Sequence, residues 1–291
     1  MYAELCRRFV DDPLAAAIVG EHPGQREVLA LLGALHYLVL GGEASWDDPL
    51  REHEEFLRDW VRTHGVQTNE VQRCWVLLPL FLRVTRGAEA VDIVELGSSA
   101  GLNLVWDRYR YEYERGSWGP SDASLTLVGT ERRPLPADLL LLAPNVRSRI
   151  GIDRAPIDVT TDEGVRYLKS FVWAGQDERL ARLDAAVAAV RSDPPAIVQG
   201  ELPDALPDVL AELPGDGLTL VFQTSVFEYL PAEGRARVRE ILDSSERDLV
   251  LVASGSPRGD ERVWGMRIYR PGREREFVGH ADYHGTWLDY W

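Results

Sequence analysis

The chain has 291 residues, with 32 Lys and Arg against 47 Asp and Glu, a formal net charge of −15 at pH 7. A body this acidic, with no basic half, repels a polyanion throughout its approach, which argues against nucleic acid as a partner. Hydrophobic residues make up 45% and charged residues 27%, the composition of a folded chain with a large core rather than of a disordered one.

At the amino terminus, Glu4, Asp11 and Asp12 are mixed with Arg7 and Arg8, which fits neither a secretory leader nor an acid-poor transit peptide. The longest apolar stretches, 28–40 and 74–84, are interrupted by His36 and Pro79 and fall short of the ~20 residues that cross a bilayer. A cytoplasmic protein with no membrane partner is expected. Cys6 and Cys74 belong to no CxxC or Cys/His cluster, so no metal site is expected, and both read as buried, reduced thiols.

Asp12-Pro13, His22-Pro23 and Asp48-Pro49 each place proline where a first helical turn tolerates it, and Gly20, Gly41-Gly42 and Gly65 read as stops. Four or five helices are expected before residue 87, the last over about 69–86, with Asn69 as a candidate N-cap and Gln72 completing a capping box. These residues, 1–87, form a helical cap.

After Gly87 the pattern changes to short apolar runs separated by helical segments. Strands are expected at 91–95, 148–152, 196–199, 217–223 and 248–253, with helices near 100–107, 162–172, 177–191, 204–213 and 232–243. This alternation indicates an α/β fold with a mostly parallel sheet. The runs at 263–269 and 274–279 leave no room for a helix around Pro271-Gly272 and must pair as an antiparallel hairpin at the end of the sheet. Tyr109, Tyr111 and Tyr113 recur at period two and mark an inserted β-hairpin over about 108–128.

The most specific local signal is the run from Val91 to Leu104, VDIVELGSSAGLNL: an apolar strand with an acid near its end, then a glycine turn expected to open a helix. A dinucleotide fingerprint would need glycines at turn positions one, three and six, where this chain has Gly97, Ser99 and Leu102, and the phosphate-loop pattern is absent. The spacing from Glu95 through Gly97 to Gly101 instead resembles the first motif of class I S-adenosylmethionine (SAM) methyltransferases. That resemblance implies that Glu95 and the turn of Gly97, Ser98, Ser99 and Gly101 hold the amino-acid end of the cofactor. Asp153 ends the second strand, where ribose hydroxyls lie in a doubly wound sheet. Gly200 and Glu201 follow the third strand and resemble the border of the adenine pocket. Gln223, at the end of the fourth strand, completes the cofactor set, and the passage from Gln223 through Ser225, Glu228 and Tyr229 to Pro231 resembles the corresponding loop of those enzymes.

Several phrases along the chain resemble one bacterial family, the domain of unknown function 2332 family: Gln67 to Val71, Glu95 to Leu104, Asp107 to Tyr111, Phe171 to Trp173, and His284 to Leu288. In the family a proline commonly follows the tryptophan of the fourth phrase, whereas Ala174 follows Trp173 here. The resemblance implies a Rossmann-like class I methyltransferase sheet over 88–291, with an antiparallel last strand, and names no substrate.

A SAM-dependent methyltransferase acting on a small molecule is therefore expected. Its competitors are a non-catalytic SAM or S-adenosylhomocysteine binder and an enzyme that transfers a different group from SAM. Methyl transfer needs orientation and exclusion of water more than a dyad, but a hydroxyl or protonated amine also needs a base, for which Glu228 and His284, with His280 beside them, are the candidates. Substrate contacts are expected from Gln67, Asn69, Glu70, Ser225 and Tyr229, with the helical residues acting as a lid over the carboxyl ends of the strands. If the helices instead dock on the outer face, they serve stability or a homodimer.

Overall fold

The computed structural model describes residues 2–20, 24–47, 49–255 and 263–291. Six helices come first: α1 (Tyr2–Val10), α2 (Pro13–Val19), α3 (Gln25–Leu40), α4 (Pro49–Glu52), α5 (Glu54–Thr63) and α6 (Arg73–Val84). Asp12 caps α2 by accepting the Leu14 N–H at 2.8 Å, with Pro13 as the first helical residue. The expected start at His22-Pro23 lies outside the described residues. α6 begins four residues beyond Asn69, so Asn69 is not its cap, and the Gln72 amide is committed to carbonyls elsewhere.

Then follow β1 (Val91–Leu96), β2 (Arg110–Tyr113), β3 (Gly116–Trp118), β4 (Thr126–Val128), β5 (Thr130–Glu131), β6 (Val146–Asp153), α7 (Asp162–Ser170), α8 (Asp177–Arg191), β7 (Ala196–Gln199), α9 (Leu206–Glu212), β8 (Leu218–Thr224), α10 (Val226–Tyr229), α11 (Ala232–Asp243), β9 (Leu249–Gly255), β10 (Val263–Tyr269), β11 (Glu276–Asp282) and β12 (Trp287–Tyr290). The chain forms two compact units, Met1–Asn69 with Ile157–Asp184 and Glu70–Pro156 with Ala185–Trp291. The sequence reading placed a single division after residue 87.

In the first unit, Ala15 and Ile18 of α2, Leu35 and Leu38 of α3, and Leu57 and Trp60 of α5 share one core. α7 joins them: Tyr167 packs on the Trp60 ring at 5.4 Å, and the Arg166 guanidinium lies 3.6 Å from the centre of the Tyr37 ring. The ring of Phe171 occupies the space that a Cβ at Gly33 would need. The connection from β6 to β7 thus runs through the helical unit.

The second unit is built on a nine-stranded sheet of order β5-β12-β11-β10-β9-β8-β1-β6-β7. The five strands from β9 to β7 are all parallel, and they run in the 3-2-1-4-5 order of a doubly wound sheet. β10 pairs antiparallel with β11, as the short connection at Pro271-Gly272 requires, and also antiparallel with β9. Side-chain alternation divides the core. Val94, Leu96 and Val221 pack with α9 and α11 on one face, while Phe222 meets Phe81 of α6 on the other, with ring centres 5.1 Å apart. The tyrosine-rich insertion is a three-stranded sheet, β3-β2-β4, in which β4 runs parallel to β2. No described helix is long and apolar enough to cross a membrane.

Candidate functional site

The strand order reverses between β1 and β8, and in open α/β sheets the crevice for a ligand opens at the carboxyl ends of the strands at such a switch point. Alternation along β1 places Glu95 on the face covered by α6. Its side chain is buried at 1% exposure, and that burial pushes the carboxyl well above the usual carboxylate range. Asn103 donates its Nδ2 to Glu95 Oε1 at 3.3 Å and accepts the Cys74 thiol on its own Oδ1 at 3.2 Å, while Glu95 Oε2 has no hydrogen-bond partner.

The turn after β1 is wound by left-handed backbone at Gly97 (φ 76°), Ser99 (φ 53°) and Gly101 (φ 73°). The N–H groups of Gly97 and Ser98 both donate to Ile152 O, at 2.8 and 3.2 Å, and the Ser99 N–H donates to Asp153 Oδ2 at 2.7 Å. Asp153 also accepts the Ala155 N–H at 2.9 Å. The expected helix over 100–107 does not form. Left-handed residues cannot continue a right-handed helix, and the Tyr109 and Tyr111 hydroxyls take the Leu102 and Trp106 carbonyls at 2.6 and 2.7 Å. The segment passes instead through i→i+3 turns into a short 3-10 stretch at Trp106–Arg108.

The glycines of this turn make room for the chain's own side chains. A Cβ at Gly97 would stand 2.7 Å from Val226 Cγ2, one at Gly101 2.8 Å from Pro195 Cγ, and one at Gly151 would collide with Ser98. β8 leads into Ser225, which is buried and has φ 71°. Among the described residues, Ser99 and Ser225 are the two non-glycine positions with left-handed backbone. Both hydroxyls are buried without a hydrogen-bond partner. Gln223, next to them, spends its amide on Ser254 O at 2.6 Å and on the Phe227 N–H at 3.4 Å.

From the α6 side, Arg73 reaches the same end of the sheet. Its Nε donates to Tyr283 O at 3.2 Å, and its Cζ lies 4.7 and 4.6 Å from the ring centres of Trp264 and Tyr283. Glu70 is buried, with Oε2 3.9 Å from His284 Nδ1. The Gln72 Nε2 bonds Val128 O at 2.9 Å and Gly285 O at 3.2 Å, fastening the turn that carries His284 to the start of α6.

The family described as an uncharacterized protein conserved in bacteria, DUF2332, matches residues 1–290. The chain belongs to this family. No curated protein and no solved structure matches it.

In this DUF2332 chain the remaining candidates sit as follows. Glu228 and Tyr229 lie on α10 just beyond Ser225, both exposed, Tyr229 at 77%. Gly200 donates its N–H to Asp153 O at 2.9 Å and abuts Ala205, and Glu201 is exposed, 3.8 Å from Arg154. Gln67 and Asn69 border a small recess of the helical unit with Phe171 and Arg179. His280 packs against Phe277 and Trp291, with ring centres 4.9 and 5.5 Å away. Cys74 is fully buried as expected, but Cys6 is only partly so. The sequence reading missed Arg73, Trp264 and Asn103. A single arginine at the start of an apolar helix carries no pattern, and β10 and the turn beside it acquire their meaning only once the sheet is assembled.

Proposed function

We propose that this DUF2332 protein binds SAM at the β1–β8 switch point and transfers its methyl group to a small molecule. The observation that carries this reading is the pair Ser99 and Ser225. Each holds a left-handed backbone, at a cost of order 1–3 kcal/mol, and each buries an unpartnered hydroxyl, at a further cost of about 1–3 kcal/mol. Strain of this kind clusters at ligand sites, and its repetition beyond two neighbouring strands at the crevice supports a preorganised site here.

Asp153 supports the same reading. Two of its acceptor positions hold Ser99 and Ala155, and a carboxylate offers about four, so ribose hydroxyls have acceptors left. The glycines hold the turn in place, and contacts to the amino-acid end of SAM fall to the Ser99 and Ser225 hydroxyls and to Glu95. Gly200 and Glu201 would border the adenine. Bound SAM supplies a methyl carbon activated by its sulfonium, so the protein's tasks are to orient the acceptor and keep water out. Glu228 and His284 are the groups assigned to remove a proton from a hydroxyl or amine acceptor. The net charge of −15 favours a small acceptor over a polyanion.

Incubation of the protein with SAM and a metabolite extract tests the reaction. S-adenosylhomocysteine with a methylated product is the expected result. Methylthioadenosine would move the assignment to aminocarboxypropyl transfer, binding without turnover would leave a SAM-binding protein, and no binding would overturn the proposal.

A further inference from the structure

Arg73 is 3% exposed, yet its side chain makes one hydrogen bond, through Nε, and no ion pair among the described residues. Among the described residues neither terminal nitrogen has a hydrogen-bond acceptor, and Nη2 is fully buried. Buried charges are ordinarily paired, because removing an ion from water without a counter-charge is costly. The Trp264 and Tyr283 rings attract the guanidinium, but an aromatic face carries no net charge to neutralise it. Its position adds to the cost: Arg73 is the first residue of α6, where the helix dipole favours an anion. Glu95 interacts with it electrostatically, but burial raises that carboxyl's pKa and so weakens it as a counter-ion.

We propose that Arg73 is the anchor for a carboxylate of the bound ligand, taken side-on by its two terminal nitrogens. Guanidinium and carboxylate match in planar, two-point geometry. A single negative charge suits this place better than a dianionic phosphate, because the one guanidinium supplies a single compensating charge and Glu70 is buried in the turn that leads into Arg73. The carboxylate comes either from the amino-acid end of SAM or from an acidic substrate. The first source rests on the SAM reading above and the second does not.

The test compares S-adenosylhomocysteine with its decarboxylated analogue by calorimetry on the full chain and on Arg73→Gln. If the cofactor supplies the carboxylate, the analogue binds the unaltered protein at least tenfold more weakly, and Arg73→Gln removes that difference. If the substrate supplies it, the two nucleosides bind alike, and members of a panel of monocarboxylic acids raise the melting temperature of the unaltered protein but not of Arg73→Gln. If S-adenosylhomocysteine does not bind at all, the SAM reading fails and the acid panel alone decides the role of Arg73. Should Arg73→Gln not fold, Arg73→Lys, which keeps the charge but loses the two-point geometry, takes its place, and the nucleoside comparison on the unaltered protein stands without either. Equal binding of the two nucleosides, together with no acid that distinguishes protein from variant, would overturn the proposal.

Discussion

Gly285 packs directly on the backbone of Gln72: a Cβ at position 285 would collide with the Gln72 carbonyl oxygen, and the glycine holds φ 79°. Through this contact the turn bearing His284 is seated on the start of α6, within 3.9 Å of Glu70. Two phrases 213 residues apart in the sequence, around Gln72 and Gly285, thereby become one corner of the candidate site.

Gly285→Ala combines a steric clash against backbone with a left-handed conformation, so a loss on the order of 2–3 kcal/mol is expected. Denaturant unfolding measures it. Gly272→Ala is the control: it has φ 69° and nothing within 4 Å of a Cβ, so it should lose only the conformational part, about 1 kcal/mol.

Ser225→Gly should separate stability from binding. Glycine relieves the left-handed strain at φ 71°, and its greater unfolded-state entropy offsets roughly 0.5–1 kcal/mol of that gain. The unfolding midpoint is therefore expected to hold or rise, while SAM affinity falls with the lost hydroxyl. Ser225→Val, β-branched at the same φ, should destabilise instead.

β7 at 196–199 and β10 at 263–269 lie where the apolar runs place them, because a short apolar run between local breakers is a local pattern. The inward face of β2 and the residue before it was legible for the same reason: Tyr109, Tyr111 and Tyr113 are buried, and each donates its hydroxyl to a backbone carbonyl. β5 and β12 were not legible, since two- and four-residue strands exist only through their partners, Trp287 beside Thr130 and Leu288 beside Glu131. α7 was placed correctly along the chain, but its amphipathic pattern shows that one face is buried without showing what buries it. The candidate site divides in the same way. Glu95, Gly97 and Asp153 were marked by strand-end position, whereas the strain at Ser99 and Ser225 and the unpaired charge of Arg73 are products of the assembled sheet.

Burial raises the Glu95 carboxyl from an ordinary value of 4.5, and the sign of its effect on stability follows. Below pH 4.5 the group is protonated in both folded and unfolded chains and favours neither. Above it the unfolded chain releases the proton while the folded chain retains it, so stability falls as pH rises until the folded group also ionises, at a slope of up to about 1.4 kcal/mol per pH unit. Glu95→Gln removes this contribution. Urea midpoints between pH 5 and 8 should show the variant gaining on the unaltered protein as pH increases.

Burial also pushes the Cys74 thiol well above its ordinary range, with the Glu95 carboxyl adding to the shift. At pH 8 a thiol reagent is expected to label Cys6, which is partly exposed, and to reach Cys74 only on unfolding. Mass spectrometry of the labelled peptides reads this directly, and fast labelling of Cys74 in the folded protein would show that the packing between α6 and β1 opens.

The measurement closest to the central claim is calorimetric titration of S-adenosylhomocysteine into the unaltered protein and into Asp153→Asn and Ser225→Gly. Saturable one-to-one binding is expected, weakened about tenfold or more in each variant, which corresponds to a loss of about 1.4 kcal/mol or greater. No binding to the unaltered protein, or the same affinity in all three proteins, would contradict it.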